Sequence, residues 1–209
     1  MKRKTKTPKY SIIVILFGEI WLKGRNRSSF IDLLYDNVKA KLRDEQYSSL
    51  ERLRDRFVLA LSEKSDIESI TNRLKHVFGI SWFSTAVTAE NSIKEIVAKA
   101  ALLAGDKEVR IIAHRSYKDT KFNSVDIVRG FIDHAEKKQI SINKDSDNEL
   151  HINVTRNYTI ISDNKIKGLG GLPVGCSGKA IILLSGGIDS CIAAFYAMKR
   201  GLQPVYLLS

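Results

Sequence analysis

The apolar positions of the first 78 residues change period several times and predict alternating strands and helices. A nearly continuous apolar run predicts a central strand, spacings of three to four residues predict amphipathic helices, and alternation around a short polar turn predicts a hairpin. The predicted elements are a strand from Tyr10 to Phe17, a helix from about Ser28 to Leu42, hairpin strands from Ser49 to Leu53 and from Phe57 to Leu61, and a helix capped by Asp66. This order predicts a mixed α/β domain over residues 1–78.

Residues 79–167 continue the alternation and predict a second α/β domain. Ser92 and Glu95 have the spacing of a capping box, in which each side chain accepts a hydrogen bond from the backbone of the other, so a helix is expected to begin there. The other predicted elements are an extended stretch from Ile80 to Thr88, a strand from Glu108 to His114, a helix from Ser124 to about Gln139, and a hairpin of Leu150 to Thr155 with Tyr158 to Ile161.

Residues 168–209 predict a linker followed by the start of a parallel sheet. Gly168 to Gly175 is rich in glycine and contains a proline, which marks a break between domains. Ile181 to Leu184 is a short apolar run typical of a parallel strand buried on both faces, and Cys191 to Arg200 has the apolar spacing of a helix. Val205 to Leu208 begins a second parallel strand. Because two strands and one helix cannot cover both faces of such a sheet, we expect this unit to be incomplete.

The loop between this strand and helix, Ser185-Gly186-Gly187-Ile188-Asp189-Ser190, has the composition of a phosphate-binding loop. Adjacent glycines let the backbone turn with no Cβ in the way, so that N–H groups at the start of the helix converge on an anion. The Walker, Rossmann and α/β-hydrolase patterns are absent. The loop resembles the Ser-Gly-Gly-x-Asp-Ser loop of the ATP pyrophosphatases, which bind the pyrophosphate end of ATP. The alternative is a glycine-rich turn that binds nothing.

A second candidate site is the segment from Arg115 to Ser124, in which cations are interleaved with aromatic rings. The cations can contact phosphates, and the rings can stack on sugars or bases. The alternative is a solvated loop whose rings are tucked into the core. The residues concerned are Arg115, Lys118 and Lys121 among the cations, and Tyr117 and Phe122 among the rings.

Charge favours a polyanionic partner. The 209 residues carry a formal net charge of +11, and their 44% hydrophobic and 27% charged residues are typical of a globular protein. Residues 1–75 hold 17 Lys and Arg against 10 Asp and Glu, whereas residues 76–175 hold 14 against 12. Lys and Arg that neutralise phosphates gain free energy by releasing counterions, so the first third of the chain supplies most of the attraction for a nucleic acid.

The sequence also bears on the cellular compartment. Cys176 and Cys191 are the only cysteines, too few to frame a disulfide-built fold, which favours a reducing compartment. The basic first residues and the apolar run after them do not form a signal peptide, because Glu19 interrupts the run and no small-residue cleavage site follows. The run is too short to span a bilayer. We expect a cytoplasmic protein without membrane association and predict no metal-binding residues.

Three motifs in this order resemble the tRNA 4-thiouridine synthetases, the ThiI family. The run from Glu19 to Phe30, with Lys23-Gly24 and Arg27, resembles the opening of the N-terminal ferredoxin-like domain of that family. The βαββα order predicted for residues 1–78 is most of the ferredoxin-like plan. The run from Arg115 to Asp126, together with Asn153 to Arg156, resembles its THUMP RNA-binding domain.

The third motif joins Gly168 to Gly175 with the loop from Ser185 to Ser190 and resembles the linker and ATP loop of the family. Cys176 and Cys191 depart from the family pattern, which usually has Thr and Pro at these positions. The resemblance predicts three parts: a ferredoxin-like domain over residues 1–78, a THUMP domain over 79–167, and a linker with a truncated PP-loop ATP-binding domain over 168–209. The expected fold class is therefore α/β (α+β).

The resemblance implies the activity of a tRNA uridine 4-sulfurtransferase. ATP, with Mg²⁺, adenylates the 4-carbonyl of uridine 8 in tRNA, and a persulfide delivers sulfur in place of the adenylated oxygen; family members also supply sulfur for the thiazole of thiamine. A persulfide-carrying cysteine desulfurase and a homodimer are the implied protein partners. The cysteine of the family that takes part in sulfur transfer lies downstream of this region. We therefore assign no catalytic residue and expect an N-terminal fragment that binds tRNA and is inactive alone.

Two sets of candidate site residues follow from the loops and the resemblance. The ATP-binding set is Leu183, Leu184, Ser185, Gly186, Gly187, Asp189, Ser190, Leu208 and Ser209. The tRNA-binding set is Lys23, Arg25, Arg27, Arg115, Lys118, Lys121, Phe122 and Asn123. We expect Asp189 to orient the loop or a magnesium ion rather than to contact phosphate, because its carboxylate repels an anion.

Two other functions fit parts of the sequence. One is a stand-alone THUMP-type tRNA-binding module, in which the last strand, loop and helix only complete the fold. The other is a different adenylating enzyme of the pyrophosphatase type, such as an amidotransferase or another tRNA thiolase. The THUMP-like middle argues against the amidotransferase.

Overall fold

The computed structural model describes residues 10–20 and 26–208. They form two compact units, one made of Ser84–Lys165 with residues 10–13, the other of Val14–Phe83 with residues 166–208. The α/β fold class is confirmed. Lys23, Arg25 and Ser209 lie outside the described residues, as does the basic segment before Tyr10.

The unit that contains Val14–Phe83 has the ferredoxin-like arrangement. Its elements are β1 (Ile12–Phe17), α1 (Arg27–Lys41), β2 (Ser49–Arg52), β3 (Arg56–Ala60), α2 (Ile67–Leu74) and β4 (Ile80–Ala89), and β1 and β4 have residues in both units. The sheet has the order β2-β3-β1-β4, and β2 and β3 form the predicted antiparallel hairpin. The predicted cap of α2 is confirmed, because Asp66 Oδ1 accepts a hydrogen bond from the Ser69 N–H at 3.0 Å.

The two helices of this ferredoxin-like part each bury one apolar face. Ile31, Leu34 and Val38 are the buried residues of α1, whereas Phe30 is half-buried. The buried residues of α2 are Ile70 and Leu74. This spacing of three to four residues is that of an amphipathic helix, as the sequence pattern predicts.

The unit that contains Ser84–Lys165 has two helices and a sheet in the order β4-β7-β6-β5. β5 and β6 are parallel, and the predicted hairpin of β6 and β7 is antiparallel. Its core consists of apolar side chains from both helices and the sheet, including Ile96, Phe131 and Leu150, each 0% exposed. The elements after β4 are α3 (Ile93–Ala104), β5 (Arg110–Arg115), α4 (Ser124–Lys138), β6 (Glu149–Val154) and β7 (Thr159–Ser162).

The capping box predicted at α3 is only half formed. Ser92 Oγ accepts from the Glu95 N–H at 3.3 Å, but the Ser92 N–H donates to the Glu90 carbonyl and the Glu95 carboxylate pairs with Lys99 at 2.9 Å. A complete capping box is found at α4 instead. There Asn123 Oδ1 accepts from the Asp126 N–H at 3.1 Å, and the Asp126 carboxylate accepts from the Asn123 N–H at 2.7 Å.

The last part of the chain forms a strand–helix–strand unit with a parallel pair, as predicted. The elements are β8 (Ile166–Lys167), which pairs with β4, then β9 (Lys179–Leu184), α5 (Ile188–Lys199) and β10 (Gln203–Leu208). The expectation that the first parallel strand is buried on both faces is wrong for this structure, because Ile181 is 71% and Leu183 is 61% exposed. In the described part of the chain β9 pairs only with β10, so one side of the pair is open.

The glycine-rich segment from Gly168 to Gly175 is fixed by hydrogen bonds that its backbone N–H groups donate to other parts of the same unit. The Gly170 N–H donates to the Ile80 carbonyl at 2.8 Å, the Gly171 N–H to Glu19 Oε1 at 3.2 Å, and the Leu172 N–H to the Lys199 carbonyl at 3.0 Å. A Cβ on Gly168 would overlap the Ile80 carbonyl, and one on Gly171 would overlap the Lys199 carbonyl. Glycine is therefore required there for close approach of backbones. No helix in the described part of the chain has the length and apolarity to cross a membrane.

Candidate nucleic-acid and nucleotide sites

The loop predicted to bind tRNA is fixed at one edge of the β5–β6 pair. Because β5 and β6 are parallel and Arg115 pairs with Val154, the loop after β5 and the turn after β6 leave the sheet at the same edge. The N–H groups of Ser116 and Tyr117 donate to the Val154 carbonyl at 2.9 and 3.2 Å. Ser116 Oγ donates to Asn153 Oδ1 at 2.9 Å. The start of the loop is thus fixed by two residues of the neighbouring strand.

The Arg115 side chain joins the two ends of this loop through hydrogen bonds. One guanidinium nitrogen, Nη1, donates to the Phe122 carbonyl at 2.7 Å and to Thr120 Oγ1 at 3.0 Å. The Thr120 hydroxyl donates to the same carbonyl at 2.7 Å. An arginine that spans the two ends of a loop in this way sets the shape of the loop.

Two further residues of the predicted tRNA-binding set have structural contacts. Phe122 is half-buried and packs against the hydrophobic core of its unit, which is the arrangement that the alternative interpretation of the loop described. Asn123 caps α4, accepting from the N–H groups of Val125 and Asp126. Tyr117 is half-buried, and its hydroxyl donates to Asp119 at 3.2 Å. These contacts anchor the end of the loop and leave its cations to face solvent.

The exposed cations of the loop are Lys118 and Lys121. Neither makes a hydrogen bond through its ammonium group, or an ion pair, with any other residue that the structure describes. Arg156, in the turn after β6, is also exposed at this edge and was missed in the predicted set. The signal that could have found it is the parallel pairing of β5 and β6, which places the two strand ends side by side. We call Lys118, Lys121 and Arg156 the cationic edge.

The opposite end of the same strand pair carries a neutralised cluster. Arg110 and His151 both contact the Glu149 carboxylate, His151 Nε2 at 2.8 Å from Glu149 Oε2. The hydrogen bond with His151, and then the one from Arg110, hold the pKa of Glu149 below its usual range. At this end, Arg110 and His151 share the Glu149 carboxylate. Cations without a partner among the described residues therefore lie at the other end, on the cationic edge.

Of the candidates in the ferredoxin-like part, only Arg27 lies within the described residues. It is the first residue of α1 and lines a cavity of about 340 Å³. The other lining residues come from the first two turns of α1 and from the hairpin of β2 and β3: Ser28, Ile31, Arg52, Leu53 and Arg54.

The predicted ATP loop connects β9 to α5 and is exposed. Gly187 is the N-cap residue of α5, with φ −89° and ψ 152°, and no side chain of the described residues caps the helix. The Ser190 hydroxyl donates to the Gly187 carbonyl at 2.9 Å, and the Gly187 N–H lies 3.4 Å from Ser185 Oγ. The backbone N–H groups of the first turn of α5 therefore lack a side-chain acceptor, which suits an anion.

The backbone conformation of this loop does not require its glycines. Neither Gly186 nor Gly187 has a positive φ. A Cβ on Gly186 would have no described atom within 4 Å. The remaining part of the prediction is that the missing Cβ atoms leave the surface beside the helix start open to an anion.

The remaining ATP-binding candidates lie around the same loop. Leu184 pairs with Leu208 at the carboxyl ends of β9 and β10, so both leucines lie at the sheet edge from which the loop leaves. Asp189 is in the first turn of α5 and is exposed. Within residues 10–20 and 26–208 no group of three or more His, Cys, Asp or Glu side chains could hold a metal ion. Cys176 is half-buried and Cys191 exposed, and both are free thiols.

Two protein families match parts of the chain. Residues 12–84 match the ThiI ferredoxin-like domain, and residues 175–208 match a family described as thiamine biosynthesis protein (ThiI). A probable tRNA sulfurtransferase from Bacillus licheniformis is 39% identical over 201 residues, a match that covers 91% of this chain and 49% of that protein. The chain thus spans about half the length of this curated relative.

Two solved structures have the same fold. PH1313 from Pyrococcus horikoshii superposes with a TM-score of 0.82 and 25% identity, over 95% of this chain and 68% of that one. A 4-thiouridine synthetase in complex with RNA and with bound ATP superposes with a TM-score of 0.80 and 28% identity, over 96% of this chain and 53% of that one.

Proposed function

Because this chain belongs to the ThiI family, we propose that it is the tRNA-binding N-terminal part of a tRNA uridine 4-sulfurtransferase. The observation that carries the tRNA-binding role is the cationic edge, whose cations have no partners among the described residues. Two of them, Lys118 and Lys121, stand on a loop whose shape is fixed by Arg115 and Val154. The likeness to a 4-thiouridine synthetase whose structure contains RNA supports the proposal.

In this proposal the cationic edge holds the RNA backbone. Lys118, Lys121 and Arg156 contact phosphates of the helical stem and the end of the tRNA, and phosphate contacts position a nucleic acid without specifying its sequence. Arg115, Phe122 and Asn123 of the predicted set act indirectly, by holding the loop. Lys23 and Arg25 stay in the proposal on the resemblance alone.

In the same proposal, the exposed loop after β9 binds the phosphates of ATP. Ser185, Gly186, Gly187 and Ser190 offer backbone and hydroxyl donors, Asp189 orients the loop or a magnesium ion, and Leu183, Leu184, Leu208 and Ser209 border the adenine. The bound-ATP structure of the 4-thiouridine synthetase supports the use of ATP. ATP turns the 4-oxygen of a uridine into a good leaving group, which sulfur from a persulfide then replaces.

Several finer points complete the proposal. The family resemblance implies Mg²⁺ as the companion of ATP, a cysteine desulfurase as the persulfide donor, a homodimer, sulfur supply to the thiazole of thiamine, and the three-domain division at residues 1–78, 79–167 and 168–209. The small number of cysteines favours a cytoplasmic location. The exposed apolar side chains of β9 and β10 favour this role over a stand-alone RNA-binding module, because a complete α/β sheet would cover them.

The test is the salt dependence of tRNA binding by a Lys118→Ala/Lys121→Ala variant. We expect weaker binding and a slope of log K against log salt that is smaller by roughly 1.4–1.8, since each lost phosphate contact removes about 0.7–0.9. A Lys137→Ala/Lys144→Ala variant is the matched control, because it removes the same charge from exposed positions at the end of α4 and before β6. Equal slopes in the two variants would remove the loop from the RNA interface.

A further inference from the structure

A cavity of about 320 Å³ lies between the second half of α3 and the end of α4. The two helices are in close contact at the start of α3, where a Cβ on Gly130 would lie 2.9 Å from Ile93 Cγ2. Further along α3, Ala98 and Leu102 line the cavity instead. Its volume is at the lower end of the range for small-ligand sites.

The surface that α3 contributes to the cavity is apolar. Ala98, Ala101 and Leu102 have the spacing of one helix face, and Leu102 is 60% exposed. Ala101, and Ile140 after α4, are half-buried and pack against the hydrophobic core of the unit. An aliphatic group in the cavity would remove this apolar surface from water, which stabilises the bound state.

Groups of opposite charge line the same cavity without pairing. Asp106 follows α3, whereas His134 and Lys138 lie one turn apart on α4. None of these three side chains makes a hydrogen bond or an ion pair with another residue that the structure describes. The fold therefore does not use these charges, and a ligand that carries both signs of charge can satisfy them together.

The end of α3 adds to the attraction for a cation. The last turn of an α-helix leaves carbonyl groups free and has a partial negative charge, which a basic side chain in that turn would reduce. The last turn of α3 contains no basic residue, and Asp106 follows it at a distance of two positions. The last turn of α4, in contrast, contains Lys137 and Lys138. The part of the cavity beside Asp106 thus favours a cation, and the part beside Lys138 favours an anion.

We propose that this cavity binds a small zwitterion with an aliphatic side chain, of the class of the apolar α-amino acids. The ammonium group of the ligand binds Asp106 and the free carbonyls at the end of α3. Its carboxylate binds Lys138 and His134, and its side chain lies on the apolar surface of α3. Charges of opposite sign that line one cavity and do not pair carry this inference, which does not depend on the proposed function.

The cavity is separate from the cationic edge. α4 begins at Ser124, directly after the loop that carries Lys118 and Lys121, and ends at Lys138 beside the cavity. Its 15 residues span about 22 Å. A ligand in the cavity therefore does not compete with RNA at the cationic edge, and tRNA affinity can report whether a variant of the cavity is folded.

The test is a titration of the 209-residue chain with L-leucine, followed by the NMR shifts of backbone amides. We expect saturable shifts at residues 98–106 and 134–140, with a Kd on the order of 1 mM. Two analogues each lack one charge: 4-methylpentanoate has no ammonium group, and isopentylamine has no carboxylate. Each should bind about tenfold more weakly than L-leucine, because one charge-assisted contact is lost.

Five variants place the ligand in the cavity. Lys138→Ala and Asp106→Asn should each weaken L-leucine binding about tenfold. Their matched controls are Lys137→Ala and Asp133→Asn, which remove the same charges from exposed positions of α4 that do not line the cavity, and these should bind as wild type does. Ala98→Phe should abolish binding by filling the cavity, with tRNA affinity unchanged, because position 98 is exposed.

Three results would overturn the inference. If the amides of residues 98–106 do not shift at L-leucine concentrations tenfold above the expected Kd, the cavity is not an amino-acid site. If Ala98→Phe and Lys138→Ala bind L-leucine as wild type does, the ligand binds elsewhere. If 4-methylpentanoate binds as tightly as L-leucine, Asp106 makes no contact, and the ligand class is an apolar carboxylate rather than a zwitterion.

Discussion

Arg115 stands at the start of the loop that we propose binds tRNA, but it makes its hydrogen bonds inside that loop. We expect Arg115→Ala to weaken tRNA binding about tenfold, because losing charge-assisted bonds to the Phe122 carbonyl and Thr120 costs roughly 1.5 kcal/mol of loop order. Arg115→Lys should bind as weakly as Arg115→Ala, since the lysine side chain ends one bond short of the Nη1 position from which both acceptors are reached.

The measurement is tRNA affinity at several salt concentrations, combined with the rate of proteolysis within residues 116–123. Both Arg115 variants should be cut faster than wild type, and the salt slope should stay close to the wild-type slope. A direct phosphate contact predicts the opposite pattern: Arg115→Lys would restore affinity, and Arg115→Ala would lower the slope by a full contact.

The sequence predicted an RNA-binding role for this loop but could not assign a separate role to each of its residues. Interleaved cations and rings predict an RNA-binding loop, yet arginine, phenylalanine and asparagine are also the residues that close a loop, fill a core and cap a helix. Which role each takes depends on where the neighbouring strand lies. Asn123 is the exception, because its spacing from Asp126 is already visible in the sequence as a capping box.

At the scale of elements, the glycine-rich segment before β9 gives a prediction about stability. Gly170 and Gly171 both have positive φ, 63° and 75°, so alanine at either position is strained by roughly 1–2 kcal/mol. Only at Gly171 would the new Cβ also overlap the Lys199 carbonyl. We therefore expect Gly171→Ala to lower the free energy of unfolding by about 1–3 kcal/mol more than Gly170→Ala.

Chemical denaturation of the two variants measures this difference, and Gly170→Ala serves as the matched control for backbone strain. Equal losses would mean that the segment can move away from α5 at no cost, and that the contact between Leu172 and Lys199 backbones contributes little to stability.

Most helices and strands could be predicted because each has its own periodic spacing of apolar residues. The errors occur where a contact with a neighbouring residue or strand determines the local structure. The carboxylate of Glu95 was expected to cap α3, but Lys99 one turn later attracts it. β8 has two residues, too few for a period, and it exists because β4 offers it hydrogen bonds. The apolar run of β9 predicts a strand correctly. It does not predict how much of that strand other residues bury.

At the scale of the whole molecule, the apolar surface around the predicted ATP loop is exposed. Ile181, Ile188 and Leu208 are 71%, 73% and 81% exposed. Parallel sheets are normally covered on both faces, and an apolar surface of this kind is expected where a further layer packs. The number of strands in the sequence already predicted an uncovered sheet here. The relative from Bacillus licheniformis, about twice as long as this chain, has additional sequence that could provide that layer.

The open loop leads to a prediction about catalysis. Ser185, Gly186, Gly187 and Asp189 are exposed, so water surrounds any phosphate held there and weakens each electrostatic contact. We expect the 209-residue chain to bind tRNA, to bind ATP-Mg weakly, and to form no 4-thiouridine when incubated with tRNA, ATP-Mg and a persulfide donor, as followed by near-ultraviolet absorbance.

A chimera tests whether covering the loop after β9 restores thiolation. It joins this chain to the part of the Bacillus licheniformis tRNA sulfurtransferase that lies outside the matched region. Because the added part would cover β9 and β10 and exclude water from the loop, we expect thiolation by the chimera and its loss on Asp189→Ala, with tRNA affinity unchanged. Thiolation by the 209-residue chain alone would show that an exposed loop is sufficient. Thiolation by the chimera that survives Asp189→Ala would mean that Asp189 is not needed to orient the loop or its magnesium ion.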